Sequence, residues 1–415
     1  MPRSSKNKNS TPTWNPRRPA RVAVELCSGM GAIGLGLKSL GFQVAHAYDS
    51  WDCAVDIYNH NAAQSTAEIC DLLSRAGRQH VLSQCRKLGG IDLLVAGPPC
   101  KGFSQIRNGR HNNALARKQN KVLAAMPGYV AALKPQMFLI ENVPDLIRHR
   151  DGKTLQDLLK SLATPGPRKL RYRVEYKIYD AALSGTPQAR RRIFILGVRD
   201  GKEVNLLPDP GPDLAPLFSA LRHGKKVPAE FSEYRTSLKD PEDLRLTTAR
   251  QALADIPRLS AGVPEVGRSY AANPVGAFQR LMREGAPAQL SDTRTPSVRQ
   301  ETIDRLALIK PGGCARDIPK EKLNGLSRRF DSAYRRLHPD APSTALSTKY
   351  DCVYHYSCAR SLSVREYARL QGIPDFFTFP ETLACRRHAY EMIGNSVPPL
   401  MIRKVLGGAL RKLKS

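Results

Sequence analysis

Arg21-Val-Ala-Val-Glu-Leu-Cys-Ser-Gly-Met-Gly-Ala-Ile-Gly-Leu-Gly36 is the stretch from which the fold is read. VAVEL (22–26) is a short apolar run that ends in the glycine-rich CSGMGAIGLG (27–36). Such a run bounded by turn residues predicts a strand buried on both faces. The glycine turn opens a helix that reaches Leu40, where Gly41 stops it. Working outward, QVAHAY (43–48) reads as the next strand and 51–60 as the next helix. IDLLVAG (91–97) and MFLIENV (137–143) are buried-strand runs with a helical stretch near 121–133 between them. RVEYKIYDA (173–181) and RRIFILGV (191–198) read as further strands. Alternation of this kind predicts an α/β fold, a mostly parallel sheet with helices on both faces, and ligands at the carboxyl ends of the strands.

The flanks differ in composition. Residues 1–20 place Lys6, Lys8, Arg17 and Arg18 among Ser, Asn, Thr and Pro, with no acidic residue before Glu25. They predict a disordered basic arm touching a polyanion. After Asp200 the chain turns Pro-, Arg- and Gly-rich with poor periodicity, which predicts a smaller, irregular domain over 201–360. Order returns in SVREYARLQG (363–372), in a segment 361–387 expected to act as a hinge. NSVPPLMIRKVLGGALRKLK (395–414) is an amphipathic helix entered through Pro398-Pro399. The 415 residues carry a net charge of +28 and 41% hydrophobic residues, enough for a large core. No apolar run approaches the roughly 18–20 residues of a membrane span, and the charge points to nucleic acid. Nine scattered cysteines without a CxxC read as reduced thiols of a cytosolic protein. In YDCVYHYSC (350–358), strand alternation would turn Cys352 and Cys358 away from His355, so no metal site is assigned.

Four places carry chemistry. In Glu25-Leu-Cys-Ser-Gly-Met-Gly31 small residues let a ligand approach the backbone, although a plain tight turn would look the same. It has neither dinucleotide GxGxxG spacing nor the lysine of a P-loop. Asp49 ends the second strand, where an acid can accept both hydroxyls of a ribose, and Asp71 falls at a third such position. Gly97-Pro-Pro-Cys100-Lys-Gly-Phe-Ser104 holds a cysteine rigidly at a strand end beside Lys101, whose charge favours the thiolate. Glu141-Asn142-Val143 ends a strand; in a pocket its carboxyl would rise and could protonate a ring nitrogen, whereas at a surface it would be solvated. Gln188-Ala-Arg190-Arg-Arg192 sets two guanidiniums on one strand face, suited to a base carbonyl and a phosphate, or simply forms a basic surface run.

These four blocks, followed by Arg-Glu-Tyr-Ala-Arg-Leu-Gln-Gly (365–372) and Gly394-Asn-Ser-Val-Pro398, closely resemble the C5-cytosine DNA methyltransferase family. The resemblance covers most of the chain and implies a Rossmann-like catalytic domain at 21–200, completed by 388–415. It also implies a target-recognition domain where composition marks the irregular region. Further implications are S-adenosyl-L-methionine as methyl donor and double-stranded DNA as substrate. Cys100 would attack C6 of a flipped cytosine, Glu141 would act at N3, Arg192 would hold O2 and Arg190 would support the nucleotide. Glu25, Cys27, Ser28, Gly29, Gly31, Asp49, Ser50, Asp71, Leu72, Pro99, Asn395, Ser396 and Val397 would hold the cofactor. Lys101, Ser104, Gln188, Arg328 and Arg329 would touch DNA, with Gly325–Phe330 and Pro342–Thr348 as groove contacts. Glu25, Cys27, Asp49 and Lys101 depart from the residues usual in the family, Asp, an aromatic, Glu and Gln respectively. A transfer-RNA methyltransferase is the nearest rival, disfavoured by the long basic region after Arg192. A catalytically dead binding protein is disfavoured by the presence of Cys100, Glu141, Arg190 and Arg192. The expected setting is a cytoplasmic monomer in a bacterium, or a nuclear protein in a eukaryote, with a cognate restriction endonuclease as functional partner.

Overall fold

The stretch 21–36 folds into strand β1 (Arg21–Leu26), a turn with Cys27, Gly29 and Gly31 in the left-handed region, and helix α1 (Ala32–Lys38). The computed structural model describes Trp14 and residues 21–62, 67–99, 114–166, 170–201, 205–264, 267–322, 334–380 and 383–413; for 114–119 and 383–387 this extends to the helical backbone only. Then come β2 (Phe42–Asp49), α2 (Asp52–Asn61), β3 (Ala67–Ile69), α3 (Arg75–Arg86), β4 (Leu93–Ala96), α4 (Ala114–Leu133) and β5 (Met137–Asn142). After them follow α5 (Lys153–Ala163), β6 (Tyr172–Asp180), β7 (Gln188–Ala189) and β8 (Arg191–Arg199). The chain closes with α6 (Val364–Leu370), α7 (Leu383–Asn395) and α8 (Pro399–Lys412).

Seven strands form one sheet in the order β3-β2-β1-β4-β5-β8-β6. The first five run parallel; β8 lies antiparallel to both β5 and β6. A strand's side chains alternate between faces, so each continuous apolar run feeds two cores. Ala23, Leu93, Val95, Met137 and Leu139 pack on one face with α1, α2 and α8. Val24, Leu94, Ala96, Phe138 and Ile140 pack on the other with α3, α4 and α5. This is the expected α/β architecture, and it puts the ends of β1, β2, β4 and β5 on one rim.

Two expectations change. Trp14 is buried and donates its indole N–H to Leu281 O at 2.9 Å. At that residue the N-terminal arm is therefore docked in protein, because an indole gains more from a core than from phosphates; the rest of 1–20 lies outside the described residues. The region after Asp200 consists of short helices and two-residue strands, as its composition suggests, but it is not walled off. Leu253, Phe278, Leu281 and Met282 share one core with Trp14, Met30, Cys53 and Ile57, and with Tyr367 and Leu370 of α6.

The segment expected to be a hinge is held by buried ion pairs to its surroundings. Arg365 donates to Asp292 at 2.7 Å, Arg369 to Asp255 at 2.9 Å and to Asp375 at 2.6 Å, and Arg360 grips Glu366 through two bonds of 2.7 and 2.8 Å. All of these groups are buried. Removing one partner from such a pair strands a charge at a cost of about 3–5 kcal/mol. The arginines of block 365–372 are thus internal braces.

Candidate active site

At the rim, the β1 turn, the β2 end and the end of α7 enclose a cavity of about 580 Å³. Asp49 is aimed there by two backbone donors: Gly29 N–H reaches its Oδ2 at 2.8 Å and Trp51 N–H its Oδ1 at 3.0 Å. Burial pushes this carboxyl up, and those amides pull it back. Asp71 stands at the mouth, its Oδ1 accepting from Leu73 N–H at 2.9 Å in the turn that leads to α3. Cys27 occupies a φ of 54°, rare for a side-chain-bearing residue, which turns it into the wall. Burial, with Asp49 and Glu25 nearby, holds its thiol well above the usual range, so it serves as a neutral surface.

Glu141 and Arg192 stand at the inner end of the cavity, beside Pro98 and Pro99. Arg192 Nε donates to Glu141 Oε1 at 2.8 Å. Burial drives the Glu141 carboxyl above the ordinary carboxylate range, against the pull of Arg192 and Arg190. Asn142 donates from Nδ2 to Pro98 O at 3.2 Å and turns its Oδ1 to Val143 N–H at 2.9 Å. That amide ties the end of β5 to the Pro-Pro loop leading to Cys100, a tie the sequence reading did not assign. Cys100, Lys101, Ser104, Arg328 and Arg329, and the stretch Gly325–Phe330, lie outside the described residues.

Of the residues expected to hold a cofactor, Cys27, Ser28, Gly29, Asp49, Ser50, Asp71, Leu72, Pro99, Asn395, Ser396 and Val397 line this one cavity. Glu25 and Gly31 do not: Glu25 has no exposed surface, and Gly31 packs on the Tyr58 ring. Several lining residues escaped the sequence reading, Trp51, Met392 and Met30 among them. Trp51 lines the cavity and stacks edge-to-face on His388 at 5.1 Å; one of only two tryptophans, directly after Asp49-Ser50, it offered a signal. Met392 brings an apolar wall from α7, for which helical spacing offered none.

Two arginine-block assignments are corrected. Gln188 is fully buried: its Nε2 donates to Gln371 Oε1 at 2.6 Å and Leu370 O at 3.1 Å, and its Oε1 accepts from Leu346 N–H at 3.0 Å. It is an internal bolt, not a DNA contact. Arg190 lies at the break between β7 and β8. Its guanidinium donates to Leu346 O at 3.3 Å and Gly394 O at 2.6 Å, so it positions backbone rather than a nucleotide. His355, weighed as a metal ligand, is taken up by protein: Ser357 N–H donates to its Nδ1 at 3.1 Å, and Glu366 lies 3.7 Å from its Nε2.

The cavity suits a nucleoside-bearing methyl donor. Ser28 Oγ, buried at the glycine turn, has no protein partner among the described residues, and a Cβ built on Gly29 would meet nothing within 4 Å. Asp49 and Asp71 offer acceptors for hydroxyl and amino groups, and Trp51, Met30 and Leu72 offer flat apolar walls.

Comparison with known proteins gives the same picture. A family model described as C-5 cytosine-specific DNA methylase matches residues 22–410. The chain is 26% identical to type II methyltransferase M.AgeI of Thalassovita gelatinovora, over 92% of this chain and 97% of that one. It is also 26% identical to type II methyltransferase M1.HphI of Haemophilus parahaemolyticus, over 94% and 86%. Among solved structures, a prophage-encoded protein of E. coli described as a DNA modification methyltransferase superposes with a TM-score of 0.69 at 21% identity, over 95% of this chain and all of that one.

Proposed function

Because this chain belongs to the C-5 cytosine-specific DNA methylases, a family of enzymes that use S-adenosylmethionine, we propose how its own residues divide the work on a cytosine flipped out of duplex DNA. The reading is carried by one cavity in which the Glu141–Arg192 pair stands beside the Pro98-Pro99 approach to Cys100 while Asp49 and Asp71 stand at the cofactor end.

The cofactor supplies an electrophilic methyl group on a sulfonium. Asp49 and Asp71 receive its hydroxyl and amino groups, and Asn395, Ser396 and Val397 close on it from the C-terminal side. Carbon 5 of cytosine is a weak nucleophile. Cys100 adds as thiolate to C6, and the electron pair displaced towards N3 is met there by a proton delivered through Glu141, whose carboxyl burial raises. Arg192 holds Glu141 in place and presents its guanidinium towards O2. C5, now enamine-like, would accept the methyl group, the donor sulfur being left as a neutral thioether. Loss of the C5 proton to solvent expels Cys100 as thiolate, the N3 proton returns to Glu141, and the ring is restored. A base inside a duplex is out of reach of such a pocket, so flipping precedes the chemistry. Arg190 and Gln188 act by bracing backbone.

The type II relatives favour a restriction–modification setting, a cognate endonuclease being the functional partner. The enzyme acts as a monomer in the bacterial cytoplasm. Among the described residues no helix is long and apolar enough to cross a membrane.

Bisulfite sequencing of DNA from a methylation-deficient host expressing the chain tests the reading. Methylation at one recurring sequence is expected, and none with Cys100→Ala, which should remain folded. Retained methylation in that variant refutes the covalent route; 5-methylcytosine only in transfer RNA refutes the DNA substrate.

A further inference from the structure

We propose that Gln188 and Gln371 are positioning residues that couple segment 343–347, in the DNA-recognition half, to the cofactor wall. Engaging DNA and holding the cofactor then favour each other. The inference rests on the methyltransferase reading above and concerns what joins its two ligands.

Segment 343–347 is held against the catalytic domain by an unbroken series of direct bonds. Ser343–Thr344 pairs in parallel with Gln188–Ala189, and Ser343 N–H donates to Pro187 O at 2.9 Å. Leu346 N–H donates to Gln188 Oε1 at 3.0 Å, and Gln188 Nε2 passes the link to Gln371 Oε1 at 2.6 Å. Gln371 Nε2 then donates to Ser396 O at 2.6 Å and to Ser396 Oγ at 3.0 Å. Ser396 is a wall of the cofactor cavity. Both glutamines have no exposed surface, so water cannot replace a partner that moves away.

A second route runs alongside. Arg190 bonds Leu346 O and Gly394 O with one guanidinium. Gly394 also rests on the chain itself: a Cβ there would come within 2.0 Å of Ser347 O. Residues 346–347 therefore cannot shift without dislodging 394–396. Close-packed junctions respond to such a shift by moving between discrete arrangements. Spatial continuity is only the route; coupling is a free energy that must be measured, and it must be the same in both directions.

The test titrates S-adenosylhomocysteine into the full chain by calorimetry, alone and with the duplex that bisulfite sequencing identifies. In wild type the duplex should tighten S-adenosylhomocysteine by about 5-fold or more. Gln188→Glu and Gln371→Glu keep the shape but replace a donating amide by a carboxylate. In each, both ligands should still bind singly while the ratio falls to about one, and the double variant should lose no more coupling than either single one. Tyr172→Phe serves as the control, because it removes a buried hydroxyl bond to Pro135 O of 2.7 Å outside this series of bonds; it should keep the wild-type ratio. A wild-type ratio of one, a ratio unchanged in both glutamate variants, or an equal loss in Tyr172→Phe overturns the inference. If the variants fail to fold, hydrogen exchange on wild type decides: duplex alone must raise protection at 393–397, and no rise there overturns it. A wild-type chain that binds neither ligand and methylates nothing refutes the methyltransferase reading instead.

Discussion

Glu25 sits beneath the glycine turn with no exposed surface, and burial pushes its carboxyl up to about 8 despite a bond from Tyr58 Oη–H at 3.3 Å. In the unfolded chain the same group ionises near 4.5. Between those values the folded protein keeps a proton that the unfolded chain has lost. Its contribution to stability is therefore complete below about 4.5 and disappears as the pH rises through about 8. The melting temperature of the ligand-free protein should fall more steeply from pH 5 to pH 8.5 in wild type than in Glu25→Gln. Calorimetric scans across that range measure it, and parallel curves would mean that Glu25 folds ionised. At this scale the sequence was readable where a residue's task is local. Asp49 is legible because the end of β2 is visible in the chain, whereas Asp71 follows β3, which is too short to announce itself. Gln188 and Arg190 were misjudged because their partners, Leu346, Leu370, Gln371 and Gly394, lie far along the chain. A polar residue's burial depends on such partners, and no local pattern encodes them.

Helices α1 and α8 cross at a contact made possible by Gly36, where a Cβ would come within 2.7 Å of Ile402 Cβ and 2.8 Å of Pro399 O. Gly36→Ala should push α8 outward and cost about 1–3 kcal/mol, the usual range for overpacking. The wall at Asn395–Val397 leads directly into α8, so S-adenosylhomocysteine affinity should weaken as well. Denaturant melts and a ligand titration check both, and a stability loss with unchanged affinity would separate the helix from the wall. Elements were legible in proportion to their burial. β4 is apolar throughout and β1 and β5 mostly so, because both faces are covered, and each is legible to within one or two residues. β3 is three residues long, and α3, RAGRQHVLSQCR, buries only Val81 and Cys85, so neither left a pattern strong enough to read. The reversed direction of β8 was equally silent, since apolar periodicity is the same in either direction.

Across the whole molecule, the sheet domain and the region after Asp200 are joined through a shared core that Trp14 enters from the N-terminal arm. Trp14→Ala should cost about 3–5 kcal/mol, as large-to-small changes of buried aromatic residues do. Urea unfolding measures this, and a loss below about 1 kcal/mol would mean that the arm is detached in solution. Composition suggests the irregularity of the region after Asp200 but does not reveal that, besides a small core of its own around Leu306, Ile309 and Tyr354, it shares a larger one with the helices of the sheet domain. The cavity has a consequence in time as well. Its glycine wall leaves the ribosome well before its Asn395–Val397 wall. At roughly 5–20 residues per second the two emerge some tens of seconds apart. A nascent chain that has not yet reached Asn395 therefore has only part of this cavity's wall.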